Sequence, residues 1–188
     1  MALQTQPEVV RRRFSVEDYH RMVEAGILGE KDRVELIEGE IVEMSPSGWR
    51  HARCVARLNS LLSRGLGPGL LLGVQVPVKL GEFGQPEPDF VLVPEEGYDG
   101  SHPGPEHALL LAEVSDTSLA YDRERKLPLY ARHGYREAWI VDLQAEVVER
   151  YTGPSESGYR FVRRFGRGEV VESEPLPGIV VAVDGLFR

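Results

Sequence analysis

A chain of 188 residues, 41% apolar and 28% charged, can bury one sizeable core and calls for nothing beyond one domain with small terminal additions. No apolar run approaches the ~18 residues of a membrane span, no signal-type segment opens the chain, and one cysteine cannot make an internal disulfide, so a cytoplasmic protein without a membrane partner is expected. The formal net charge of −8 weighs against broad nonspecific attraction to nucleic acid, although an acidic total can still hide one basic face.

Residues 1–13 read as a polar tail ending in Arg11, Arg12 and Arg13, and 14–188 as the domain proper. Ser15 followed by Asp18 has the pattern of a capped helix start, which predicts a helix to about Ala25, stopped by Gly26. Residues 33–44 alternate apolar and acidic positions around Gly39, a hairpin signature that puts Glu35, Glu38, Glu40 and Glu43 mostly toward solvent, with one of them as a less favoured candidate to reach a metal site. After a break at Ser45-Pro-Ser-Gly, residues 49–64 read as an amphipathic helix. Cys54, Val55, Leu58, Leu61 and Leu62 form its apolar face, and Arg50, Arg53, Arg57 and Arg64 recur on another. That stripe reads either as a phosphate-tracking surface or as a solvated face. His51, in the first turn, points into a cleft or into water, and Cys54 reads as small packing rather than a nucleophile.

A strand is predicted over 70–80, with Pro77 marking an edge, a bulge or a break. The next strand, 90–93, is entered through Pro88, which places Asp89 at its beginning. A long Gly/Pro loop over 94–106 leads to a nearly continuous apolar strand, 108–114, of the kind covered on both faces. Glu113 interrupts it, and a carboxylate there is costly unless it is paired, bound to a metal or already at the watery end of the strand. Asp122 reads as the N-cap of a helix to about Arg132, closed by Gly134, with Pro128 forcing a later start or a kink. Strand 138–142 completes a strand–helix–strand unit whose connection predicts parallel pairing, and the remainder alternates as a small antiparallel extension. The fold class expected is α/β (α+β), a central mixed sheet flanked by helices with an N-terminal hairpin.

Asp89 at a strand start, Glu113 near a strand end and Lys126 on the following helix would bring two carboxylates and an amine to one sheet edge. Two acidic oxygens can hold one Mg²⁺, and the metal and the ammonium together polarise a phosphate. Lysine is scarce here, with three against nineteen arginines, which draws attention to Lys126.

The order of these elements resembles the PD-(D/E)XK nuclease core and, more narrowly, the Uma-type restriction endonuclease family, over roughly 30–188. The resemblance rests on Leu36-Ile-Glu-Gly-Glu-Ile-Val-Glu-Met-Ser-Pro followed by His51, on Pro88-Asp-Phe-Val-Leu-Val and on Glu113-Val-Ser. Asp122-Arg-x-x-Lys126 with Tyr130, and Gly134-Tyr-Arg-Glu-Ala-Trp-Ile-Val-Asp, complete it. The superfamily's third motif normally ends in lysine two residues after its glutamate. Here that position is Ser115, which matches the migrated-lysine variant, where a helical lysine such as Lys126 refills the place. The resemblance implies an endonuclease acting on DNA with Mg²⁺ or Mn²⁺, with Asp89, Glu113 and the Val114 carbonyl as metal ligands. Lys126 would stabilise phosphate charge or orient the attacking water, with His51, Ser115 and Tyr130 in support and Arg50, Arg53 and Arg57 meeting the DNA backbone. The acidic total and Ser115 also suit a noncatalytic nucleic-acid- or protein-binding module that keeps the fold, and a smaller phosphate substrate is a third reading. Cutting both strands needs two sites, and the C-terminal strands offer edges for a homodimer.

Overall fold

The computed structural model describes residues 10–29, 31–44, 48–96 and 101–188. The Ser45–Ser47 break, residues 1–9 of the tail and positions 97–100 of the long loop lie outside the described residues. Six strands form the central sheet in chain order: β3 (Leu70–Val74), β4 (Phe90–Pro94), β5 (Leu110–Ser115), β6 (Glu137–Asp142), β7 (Val147–Ser155) and β8 (Gly158–Phe165). All neighbours are antiparallel except β5 and β6, the pair joined by a helical crossover. Parallel strands need such a crossover, as the sequence leads one to expect.

Ahead of the sheet come α1 (Val16–Glu24), the hairpin β1 (Val34–Ile37) with β2 (Glu40–Glu43), and α2 (Trp49–Gly65). Ser15 and Asp18 close a reciprocal capping box on α1. The hairpin turns at Glu38 and Gly39, both with positive φ (51° and 84°), the geometry whose twist matches the flanking strands. A short antiparallel ribbon, β9 (Val170–Glu172) with β10 (Val180–Ala182), follows the sheet.

Period-two alternation sorts the core into two layers. Phe90 and Leu92 of β4 and Leu110, Ala112 and Val114 of β5 pack with Cys54, Leu58 and Leu62 of α2 and with Trp139. Val91, Val93 and Leu111 point the other way, onto Ile37, Leu127, Leu129, Tyr130 and Ile140. Each fully buried side chain of this size contributes about 1.5–3 kcal/mol, so the two layers fix which face every strand residue takes. Asp89 and Glu113 share parity with the second layer. The β4–β5 register, Phe90↔Ala112, sets them opposite each other one step further on.

Two expectations need correction. The strand expected over 70–80 ends at Val74, because Gln75 takes a left-handed conformation (φ 51°) and Pro77 has no N–H to give a ladder. The segment beyond folds back on itself through Val78 N–H to Pro86 O (2.9 Å) and Leu80 N–H to Gly84 O (2.8 Å). Second, Asp122 does not cap a helix: the helical run begins with α3 (Leu119–Tyr121), widens into a π turn (Asp122–Lys126) and continues as α4 (Leu127–Arg132). The wide turn, with Leu127 N–H donating back to Asp122 O, absorbs Pro128 without ending the helix. The antiparallel C-terminal extension is present as expected: β7 and β8 continue the main sheet, and β9 and β10 form their own ribbon.

Candidate active site

Where β4 starts and β5 ends, a cleft of about 380 Å³ opens between the hairpin, the N-terminal turn of α2 and the π turn. Asp89, Glu113 and Lys126 all line it, together with His51, Val114 and Asp122. Glu35 (3% exposed), Asp89 (7%), Glu113 (4%) and Lys126 (5%) are buried ionisable groups, which proteins tolerate only when charges meet partners.

Each acid is held by a different element. Asp89 Oδ2 accepts the Val114 N–H at 2.8 Å and lies 3.2 Å from His51 Nε2. That hydrogen bond with Asp89 raises the His51 pKa above its ordinary value, favouring an imidazolium that faces the cleft. Glu113 Oε1 accepts the Tyr130 hydroxyl at 2.7 Å and stands 3.3 Å from Lys126 Nζ. Burial pushes the Glu113 carboxyl up to about 8, with Lys126 opposing the rise and Asp122 and Asp89 adding to it. Burial works against the Lys126 charge as well, but the Glu113 and Glu35 carboxylates outweigh it and keep the ammonium protonated. Ser115, fully buried, donates to Asp122 Oδ2 at 2.7 Å, and Ser118 donates to the same oxygen at 2.7 Å, so Ser115 anchors the π turn.

Two further residues join the cleft, one of them from the hairpin glutamates. Glu35 is expected outward, yet β1 is covered on both sides, and Glu35 Oε2 lies 3.0 Å from Lys126 Nζ, closer than Glu113 does. Tyr121 also lines the cleft, and its hydroxyl is buried with no hydrogen-bond partner among the described residues. Leaving such a group unsatisfied costs about 1–3 kcal/mol. No signal in the sequence separates Tyr121 from an ordinary helix aromatic. The arginine stripe divides: Arg50 donates to Leu143 O and pairs with Asp116 at the cleft rim (3.5 Å). Arg53 and Arg57 donate instead to the Arg188 and Leu186 carbonyls of the C-terminal segment. Cys54 is buried in the α2 layer, and burial lifts its thiol to about 12, as inert packing requires.

The donor set suits a hard dication. Carboxylates of Glu35, Glu43, Glu87, Asp89, Glu113, Asp116 and Asp122 line the cleft against Arg33, Lys126 and His51, a balance that draws cations. The hydrogen bonds of the two central acids fall on Asp89 Oδ2 and Glu113 Oε1, so Oδ1 and Oε2 accept none from the described residues. Among the described residues no three His, Cys, Asp or Glu side chains meet closely enough to hold a metal by themselves. Two carboxylates with a backbone carbonyl fit an ion such as Mg²⁺, which keeps several waters.

No curated protein matches this chain. Among solved structures, the crystal structure described as "a putative nuclease belonging to DUF820" from Anabaena variabilis is similar. It superposes with a TM-score of 0.68 at 13% identity, covering 93% of this chain and 97% of the other, a likeness that establishes the fold. No helix among the described residues is long and apolar enough to cross a membrane. The family model described as "Putative restriction endonuclease" (Uma2) matches residues 16–184, nearly the whole chain, and the protein belongs to that family.

Proposed function

We propose that this cleft hydrolyses phosphodiester bonds of DNA with a divalent cation, Mg²⁺ or Mn²⁺. The observation that carries the reading is the meeting of Asp89, Glu113 and Lys126, from two strands and a π turn, in one acidic cleft. Asp89, Glu113 and the Val114 carbonyl would hold the ion, which when bound polarises a phosphate oxygen and lowers the pKa of an attacking water. His51 and the Val114 N–H hold Asp89 in place, and Tyr130 does the same for Glu113. Lys126 supplies a protonated donor for charge developing on the phosphate. Arg50, at the rim, is the arginine of α2 best placed to meet the DNA backbone.

The test is plasmid nicking with Mn²⁺, run beside calorimetry of Mn²⁺ binding. Wild type is expected to bind and nick, Asp89→Ala to lose binding, and Lys126→Ala to bind without nicking. Undiminished Mn²⁺ affinity in Asp89→Ala would remove the metal assignment. Binding by wild type without nicking on any DNA substrate would favour the noncatalytic module, for which Ser115 and the −8 charge already speak.

A further inference from the structure

Lys126 faces a conflict at Glu113. Its ammonium lies 3.3 Å from Glu113 Oε1, and Glu113 is the carboxylate asked to bind a dication under the reading above. Two positive groups on one carboxylate repel each other across a poorly screened interior, so the ammonium must have another anchor or leave the cleft. Glu35 is that anchor by distance: its Oε2 is 3.0 Å from Nζ and also lies 3.3 Å from the Glu87 N–H that donates to it.

We infer that Glu35 is the positioning residue for Lys126: its carboxylate keeps the ammonium in the cleft, and off Glu113, when a metal takes Glu113. This rests on the metal-dependent reading, although the Glu35–Lys126 pair itself does not. Docking of the hairpin does not require a carboxylate at this position. Gln85 N–H donates to Leu36 O at 2.7 Å, Ile37 packs in the second apolar layer, and Tyr19 donates to Val34 O at 3.1 Å. Two buried strand neighbours and a backbone bridge thus fix β1, and beyond the Glu87 N–H it accepts, the Glu35 carboxylate forms an ion pair with Lys126. Glu35 acts through Lys126, with no role at the metal, and that separates it from Asp89 and Glu113.

A double-mutant cycle tests this with Mn²⁺ calorimetry on the full chain. Glu35→Gln is expected to weaken Mn²⁺ binding roughly tenfold, because the ammonium falls back on Glu113. In the Lys126→Met background the same substitution is expected to change nothing. A loss that persists in that background makes Glu35 a metal ligand and overturns the proposal, as does an unchanged affinity in the single variant. A metal-free readout keeps the two readings apart. The three lysines, Lys31, Lys79 and Lys126, are resolved by mass after acylation with an amine reagent. Lys126 is expected to react several-fold faster in Glu35→Gln, with Lys31 and Lys79 unaltered and the slow rate partly restored in Glu35→Asp. An equal rate for Lys126 in wild type and Glu35→Gln overturns the positioning role even if no metal binds. Faster labelling with no Mn²⁺ binding by wild type keeps the pair and removes only the metal.

Discussion

Two of the π turn's three basic residues, Arg123 and Lys126, stand three positions apart, and the clusters they organise are built oppositely. Arg123 reaches away from the cleft to Glu149 Oε1 and Oε2 (2.9 Å each) and to Asp142 Oδ2 (2.9 Å). Arg164 and Tyr151 add bonds to Glu149, while the Gln144 and Ala145 N–H groups fill Asp142 Oδ1. Every carboxylate oxygen there has a protein partner. Lys126, by contrast, is shared between two acids at the wall of a cleft where Asp89 Oδ1 and Glu113 Oε2 accept no bond from the described residues. Both clusters hold buried charge, but only the second keeps coordination capacity for something that arrives. The Arg123 cluster clasps the crossover helix to β6 and β7 and thereby fixes where Lys126 stands.

That contrast is breakable. The largest expected effect is on chemistry: Lys126→Ala lowers Mn²⁺-dependent plasmid nicking by about 10²–10³-fold, the scale for loss of one donor to developing charge. Next is Arg123→Ala, which takes the guanidinium from two buried carboxylates that keep other partners and is expected to lower unfolding free energy by about 2–3 kcal/mol in urea titration, discounted for the partial exposure of the guanidinium. Nicking measured well below the melting point should fall less in Arg123→Ala than in Lys126→Ala. The reverse ranking would mean that the clasp, and not the cleft, carries function. A smaller effect follows from pH. Because burial holds the Glu113 carboxyl up to about 8, the proton competes with the metal below that value. Mn²⁺ affinity is therefore expected to climb as pH rises from about 6 toward 8 and then level, and a flat calorimetric profile would separate Glu113 from the ion. The smallest effect is expected for Arg53→Ala and Arg57→Ala, whose donors already serve C-terminal carbonyls: DNA affinity by fluorescence anisotropy should change by about twofold or less.

Much of this arrangement is readable from the chain. The parallel β5–β6 pair follows from the length of its connection, and Pro88 predicts an extended entry that delivers Asp89. A glutamate inside an apolar strand is a weaker guide than it looks. Glu137 and Glu149 are as buried as Glu113, yet Glu137 is satisfied by Trp139 Nε1 and the Glu174 N–H, and Glu149 by two arginines and Tyr151. Sequence shows the cost of such an acid and hides its partners, because those come from elements far away in the chain. Which hairpin glutamate reaches the cleft is hidden for a related reason. Alternation within a hairpin marks one face for solvent only if nothing covers that face, and here the π turn does. The π turn is itself invisible in a pattern that assumes 3.6 residues per turn.

The central claim is that Asp89 and Glu113 share one divalent ion beside Lys126. Anomalous diffraction from crystals grown with Mn²⁺ tests it most directly. The account predicts one peak about 2.0–2.3 Å from an oxygen of each acid, with Lys126 Nζ drawn toward Glu35. A peak bound elsewhere, or none while Lys126 still rests on Glu113, would contradict it.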